Sequence, residues 1–203
     1  MDEALALARR LRPAVDNERV LAAIASVPRE RFIGDEHHGR AYENVALPIA
    51  GGQTISQPIV VARMLELLEL DGDERVLDVG TGSGYHAALL ARLAREVISI
   101  ERLPELSAAA AVTLTRLGYA NVTCVVADGC AGFPQAAPFD AINVAAATGA
   151  EVPVGLVDQL AIGGRLVAPV GNQEQHLTRL LRTPDGVTQE TLEAVRFVPL
   201  VRG

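Results

Sequence analysis

The sequence predicts an α/β fold: a mostly parallel, seven-stranded sheet preceded by helices and closed by an antiparallel hairpin. Three observations carry this expectation. From Arg75 onward, short β-branched runs alternate with Ala/Leu-rich stretches of helical length, the pattern of strands joined by crossover helices. A glycine-rich segment, Gly80 to Gly84, follows directly on the first of these runs. Near the end of the chain, Thr183, Pro184, Asp185 and Gly186 separate two β-rich runs with a composition that folds backbone back on itself.

The elements follow in order. Asp16 is placed to cap a helix whose apolar positions Val20, Leu21, Ile24 and Val27 share one face. A Gly/Pro-rich stretch, Leu47 to Gly52, leads through Gln53, Thr54, Ile55, Ser56, Gln57 and Pro58 into an apolar helix from Ile59 to Leu70. Four strands are expected at Arg75 to Val79, Val97 to Glu101, Val122 to Ala127 and Phe139 to Val144. Helices from Tyr85 to Ala94 and from Leu106 to Leu117 connect the first three, the second stopped by Gly118. A helix from Val154 to Leu160 and a turn at Gly163 and Gly164 lead to a fifth parallel strand, Arg165 to Val170. Leu177 to Arg182 and Thr188 to Val198 form the hairpin.

At 203 residues and 49% hydrophobic composition, the chain is expected to form one domain spanning 1–203. Within it, 1–70 is a helical lead-in with a loop and 71–203 carries the sheet and hairpin. The net charge of -7 and the absence of a Lys/Arg run leave little positive surface for tracking phosphates, which argues against nucleic acid as a partner. The opening segment lacks the features of a signal peptide, and no long apolar run follows, so the expected location is cytoplasmic, away from membrane. Cys124 and Cys130 lack metal-ligand or disulfide spacing and read as structural thiols. His37, His38, His86 and His176 likewise have no ligand spacing, so no metal is expected and these side chains are assigned no catalytic part.

The glycine-rich segment sits where a strand turns into a helix, so its backbone can approach a ligand closely. It reads Gly80, Thr81, Gly82, Ser83, Gly84, and Tyr85 stands where the dinucleotide fingerprint needs glycine, which disfavours a nicotinamide cofactor. Glu101, at the end of the second strand, is placed to accept from both hydroxyls of a ribose. Asp128, followed by Gly129 beyond the third strand, is placed to accept from an adenine amino group. Asp78 either orients the loop or hydrogen-bonds the amino group of the ligand. These strand ends converge on one adenosyl ligand.

Gly51 to Pro58 (GGQTISQP), Val76 to Tyr85 (VLDVGTGSGY) and Val195 to Val201 (VRFVPLV) resemble the protein-L-isoaspartate O-methyltransferases. The likeness extends to VPRERF at Val27 to Phe32, AYENVALPI at Ala41 to Ile49 and PFDAINV at Pro138 to Val144, and so covers nearly the whole chain. It implies the Rossmann-like fold of class I methyltransferases that use S-adenosyl-L-methionine. It also implies that Thr54 and Ser56 belong to the active site, Ser56 as leading candidate, and that isoaspartyl-containing proteins and peptides are the partners of a monomeric enzyme. Capping of the following helix is the structural reading of Ser56. Asn44 and Ala50 stand where the family often shows Asp and Gly, and Ala145 to Ala150 lacks a proline often found there; these departures bear on peptide preference.

The implied reaction places the nucleophile on the substrate. An isoaspartyl linkage leaves an α-carboxylate free, and with a reference pKa of about 3.5 it is already ionised, so no protein base is needed. Ser56 is then expected to position that carboxylate, Thr54 to shape the pocket, and Val198 to Val201 to cover the peptide. The methyl ester closes to a succinimide and opens partly to normal aspartate, which is the repair. Two other readings stay open on sequence alone: the same fold methylating a different carboxylate or small molecule, and a non-catalytic S-adenosylmethionine-binding module.

Overall fold

The computed structural model describes residues 3–201. Two helices, α1 (Glu3–Leu11) and α2 (Glu18–Ser26), open the chain, followed by 3₁₀ turns and a small antiparallel ribbon of β1 (Leu47–Pro48) and β2 (Thr54–Ile55). Then come α3 (Pro58–Leu67), β3 (Arg75–Val79), α4 (Tyr85–Leu93), β4 (Glu96–Glu101), α5 (Pro104–Arg116), β5 (Val122–Val126) and β6 (Phe139–Val144). The chain ends with α6 (Val154–Val157), β7 (Leu160–Val170), β8 (Gln175–Thr183) and β9 (Gly186–Val195).

The seven-stranded sheet has the order β5-β4-β3-β6-β7-β8-β9. Five strands, β3 to β7, pair in parallel, and β8 and β9 add antiparallel to the β7 edge, as the sequence predicts. The chain builds outward from β3 through β4 to β5 and then returns to the other side of β3 as β6. That reversal opens a crevice at the carboxyl ends of β3 and β6, the standard ligand position in open parallel sheets.

Strand alternation splits the core in two. Val76 and Val97 pack with the buried faces of α1 to α4, whereas Leu77, Val79, Ile98 and Ile100 face the opposite layer with Leu156 and Leu160. Helix α4 is buried almost all round, with Ala87, Ala88, Leu89 and Leu90 at zero exposure. Each fully buried leucine there contributes about 1.5–3 kcal/mol of apolar burial, which makes α4 the rigid prop behind the glycine loop.

Three sequence expectations are corrected. Gly163 and Gly164 do not form a turn between a helix and a strand: α6 stops at Val157 and β7 runs straight through both glycines. The reason is a register shift against β6, where Phe139 pairs with Leu160 but Ala141 with Arg165. A Cβ on Gly164 would sit about 3 Å from the carbonyl oxygens of Phe139 and Asp140, so glycine here marks close backbone approach. Strand β9 ends at Val195 rather than Val198, because the chain peels away towards β6.

The helix caps differ too. Asn17, not Asp16, caps α2, its side chain accepting from the N–H groups of Arg19 and Val20. At α3 the N–H of Ile59 donates to Asn44 Oδ1 at 3.0 Å, so the capping weighed as an alternative role for Ser56 is done by a residue from the preceding loop. Asn44→Ala is therefore expected to lower stability by about 1 kcal/mol. A thermal melt that does not shift would show that Asn44 is no cap.

Candidate functional site

Three cavities meet at the carboxyl ends of β3, β4 and β6. A cleft runs between the glycine loop, Glu101, Leu103, Gly129 and the C-terminal segment Val198 to Val201. A groove of about 640 Å³ lies between Ser56, Gln57 and Val60 on one side and Ala194 to Val198 on the other. A small chamber of about 40 Å³ sits between Ser56 and the loop residues Gly80 to Ser83, walled by Tyr85 and His86. Thr54 and Ala145 line all three, and Ser56 lines the groove and the chamber. The two residues singled out in the TIS segment thus stand where the cavities join.

The glycine loop is held by its neighbours on β4. The N–H groups of Gly80 and Thr81 donate to the Ile100 carbonyl at 2.9 and 3.2 Å. Gly80 has φ +93, a value that favours glycine, and it faces the cleft. Glu101, 8% exposed, accepts from the N–H of Gly82 at 3.0 Å and from that of Leu103 at 3.1 Å, one on each carboxylate oxygen. A carboxylate oxygen has two acceptor directions, so both oxygens keep capacity for a ligand diol while tying the loop to the end of β4. Apolar walls from Val79, Ile100 and Leu103 beside this carboxylate fit an adenosyl group.

Asp78 lies below the loop and away from the cleft. It has zero exposure, and its oxygens accept from Ser99 Oγ and Asn143 Nδ2, each at 2.8 Å. Ser99 Oγ is in turn 2.7 Å from Thr81 Oγ1 in the loop. Burial pushes the Asp78 carboxyl up from 3.8 to about 6, against the two hydrogen bonds, with Glu101 adding to the rise. Of the two roles open in the sequence, this geometry serves orientation of the loop.

The sign of the linkage is definite. A carboxyl raised on folding weakens the native state as pH rises from about 4 through about 6, and its burden is complete at neutral pH. A rise from 3.8 to about 6 corresponds to about 3 kcal/mol. Asp78→Asn is therefore expected to raise the melting temperature at pH 7, with the gain shrinking as pH falls towards 4. A variant that melts lower than wild type at pH 7 would refute this.

The remaining predicted site residues are spread more widely. Ser83 lines the chamber. Gly84, with φ +89, immediately precedes α4 as its N-cap, and a Cβ there would press on Ala110 and Leu114 of α5 at 3.3 Å, so it serves helix packing. Asp128 is half-buried and accepts from the Cys130 N–H at 2.8 Å, forming a turn that presents Gly129 to the cleft. A Cβ on Gly129 would lie 2.8 Å from both Leu200 and Val79, so only glycine lets the C-terminal segment settle here. That segment is strapped to the end of β6 by Leu200 N–H to Ala147 O at 2.7 Å and Ala147 N–H to Val198 O at 2.8 Å. Expected over the peptide, it mainly walls the cleft beside Glu101, and only Val198 reaches the groove beside Ser56.

Several contributors were not singled out in the sequence. Ser99 and Asn143 form the network under the loop, and Arg29 donates from Nη2 to the Ser56 carbonyl at 2.9 Å. A signal existed for the first two, since each is a polar residue inside an apolar strand. His86 is 7% exposed and lines the chamber, its Nε2 buried without a hydrogen-bond partner, and burial, reinforced by Arg29, pushes its pKa down to about 4. Cys124 is pushed up to about 11 by burial, which suits an unreactive thiol. Among the described residues, no cluster of potential metal ligands occurs and no helix is long and apolar enough to cross a membrane.

Comparison with known proteins agrees with this geometry. The sequence profile described as protein-L-isoaspartate(D-aspartate) O-methyltransferase matches residues 2–203. A protein-L-isoaspartate O-methyltransferase of Shewanella baltica is 48% identical over 204 residues, covering 100% of this chain and 96% of the relative. A solved protein-L-isoaspartate O-methyltransferase superposes with a TM-score of 0.87 at 29% identity, over 95% of this chain and 64% of that longer one. A Plasmodium falciparum structure, described as a beta-aspartate methyltransferase in complex with S-adenosyl-L-homocysteine, superposes with a TM-score of 0.83 at 26% identity, over 98% and 99% of the two chains. Matched along the chain in sequence and superposing closely in fold, the chain belongs to the protein-L-isoaspartate(D-aspartate) O-methyltransferase family.

Proposed function

We propose that the junction of Thr54, Ser56 and the glycine loop is where a methyl group passes from S-adenosyl-L-methionine to the free α-carboxylate of an L-isoaspartyl residue. The observation that carries this reading is the position of Ser56, on the wall shared by an open groove and a chamber bounded by the glycine loop. The groove has room for a segment of peptide, and the cleft on the far side of Thr54 has the carboxylate and apolar walls that suit an adenosyl group.

When bound, the cofactor supplies an electrophilic methyl on a sulfonium. Everything else falls to side chains and backbone. Glu101 accepts from the ribose hydroxyls, Gly80 and Gly82 let the backbone come close, and Asp78 acts through Ser99 and Thr81 to keep the loop in shape. Asp128 and Gly129 form the adenine end, and Ser83 and Gly84 complete the turn into α4. The Ser56 hydroxyl donates to the substrate carboxylate and Thr54 fixes the side of the pocket. No group need remove a proton, because the nucleophile is already an anion at neutral pH.

The same reading has the chain working as one domain and as a monomer in the cytoplasm, on isoaspartyl proteins and peptides, without nucleic acid or membrane; its net charge of -7 supports the exclusion of nucleic acid. The deciding experiment incubates the protein with methyl-labelled S-adenosylmethionine and matched isoaspartyl and normal aspartyl peptides, then counts base-labile label. Label confined to the isoaspartyl peptide is the expected result. Equal labelling of both peptides, or none, would overturn the reading.

A further inference from the structure

Arg29 is a fully buried guanidinium whose hydrogen bonds go to main-chain carbonyls rather than to a carboxylate. Nε donates to Ala41 O at 2.9 Å, and Nη2 to Ser56 O at 2.9 Å and to Val45 O at 3.4 Å. Its carbon centre stands 5.0 Å from the centroid of the Tyr85 ring, and Phe32 meets the same ring edge-on at 5.5 Å. Nη1 is buried without a partner. Taking a guanidinium out of water is costly, and an apolar side chain of similar volume often stabilises a core more. Stability alone is thus a poor account of an arginine at this position.

Its partners suggest a better one. Ala41, Val45 and Ser56 belong to the irregular segment between the opening helices and α3, where carbonyls lack regular partners and need donors. Tyr85 is the first residue of α4, immediately after the glycine loop. One rigid planar group therefore touches both the segment that carries Ser56 and the helix that carries the loop. A lysine ammonium, without the planar fork, cannot reproduce two directed bonds and a stacked face together.

We propose that Arg29 is a positioning residue for methyl transfer, which sets the spacing between Ser56 and the glycine loop by holding the Ser56 carbonyl beside the face of Tyr85. The inference rests on the reading of Ser56 given above. It concerns geometry: in a displacement between two bound partners, a misplacement of about 1 Å lowers the rate by up to about 100-fold.

The test compares Arg29→Lys and Arg29→Met with wild type in cooperative melting, cofactor affinity, and kcat and KM for an isoaspartyl peptide. Folded variants should keep cofactor affinity within about twofold and lose roughly 10- to 100-fold in kcat at saturating peptide, with Arg29→Lys the milder. Should neither variant fold, Tyr85→Leu, which removes the ring and leaves the carbonyl bonds, is expected to show the same selective loss of kcat. Full kcat in a folded Arg29 variant, or in Tyr85→Leu, would overturn the proposal. Ser56→Ala measured alongside separates the two ideas: if it keeps full turnover, the reading of Ser56 is wrong; if it is impaired while the Arg29 variants are not, only the role of Arg29 fails.

Discussion

Ser56→Ala is expected to lower kcat for an isoaspartyl peptide by roughly 100-fold while leaving cofactor affinity within about twofold, because in the proposed role the hydroxyl orients the nucleophile and does not hold the cofactor. The expectation follows from where Ser56 stands. It lines the groove and the chamber and is absent from the cleft beside Glu101. Its carbonyl is fixed by Arg29, and the cap of α3 is supplied by Asn44, so the substitution should leave the local fold intact. A carboxylate in water rotates freely and offers either oxygen; one donated hydrogen bond restricts both choices. Steady-state rates at saturating peptide and cofactor measure the effect, and unchanged turnover would remove Ser56 from the mechanism.

Glu101→Gln should have the opposite signature, weakening cofactor binding by at least about 100-fold, since hydrogen bonds to a charged group contribute about 1.5–3 kcal/mol each and two are at stake. The change also damages the free protein. Glu101 receives N–H groups from Gly82 on one oxygen and Leu103 on the other, so a glutamine must turn its NH₂ towards one of these donors. The loop then loses an anchor as well as a ligand contact. Calorimetric titration with S-adenosylhomocysteine reads the loss directly, and peptide kcat at saturating cofactor should fall much less. A dissociation constant near wild type would show that the carboxylate serves loop structure alone.

The two substitutions are expected to separate because Glu101 lines the cleft whereas Ser56 lines the groove and the chamber. The cleft beside Glu101, where we propose the cofactor binds, was largely legible in the sequence: a strand, a glycine loop, a helix and an acid at the next strand end form a local pattern, and each piece reports its own backbone state. Gly80, Gly82, Glu101 and Gly129 were singled out that way, and all line the cleft. Gly84 and Asp78 were found by the same pattern, yet one packs on α5 and the other lies beneath the loop. A pattern identifies the residue type a place requires, whereas the neighbour that makes it necessary comes from elsewhere in the chain. The proposed substrate side was legible only through family resemblance, since Thr54 and Ser56 sit in an irregular segment with no periodicity to read.

By itself the sequence determined the positions of β3 to β6, the helix behind the loop, the presence of a hairpin at the end and the family. Hydrophobic period and turn chemistry are local quantities, written over a few consecutive residues. Only the tertiary structure decided that Asn44 caps α3 from the preceding loop, that β7 passes through Gly163 and Gly164, that Leu200 packs on Gly129, and that Arg29 joins Ser56 to Tyr85. Each of these is a contact between segments distant in sequence. Its energy depends on how the sheet and helices bring those segments together, and no local run of residues records that distance.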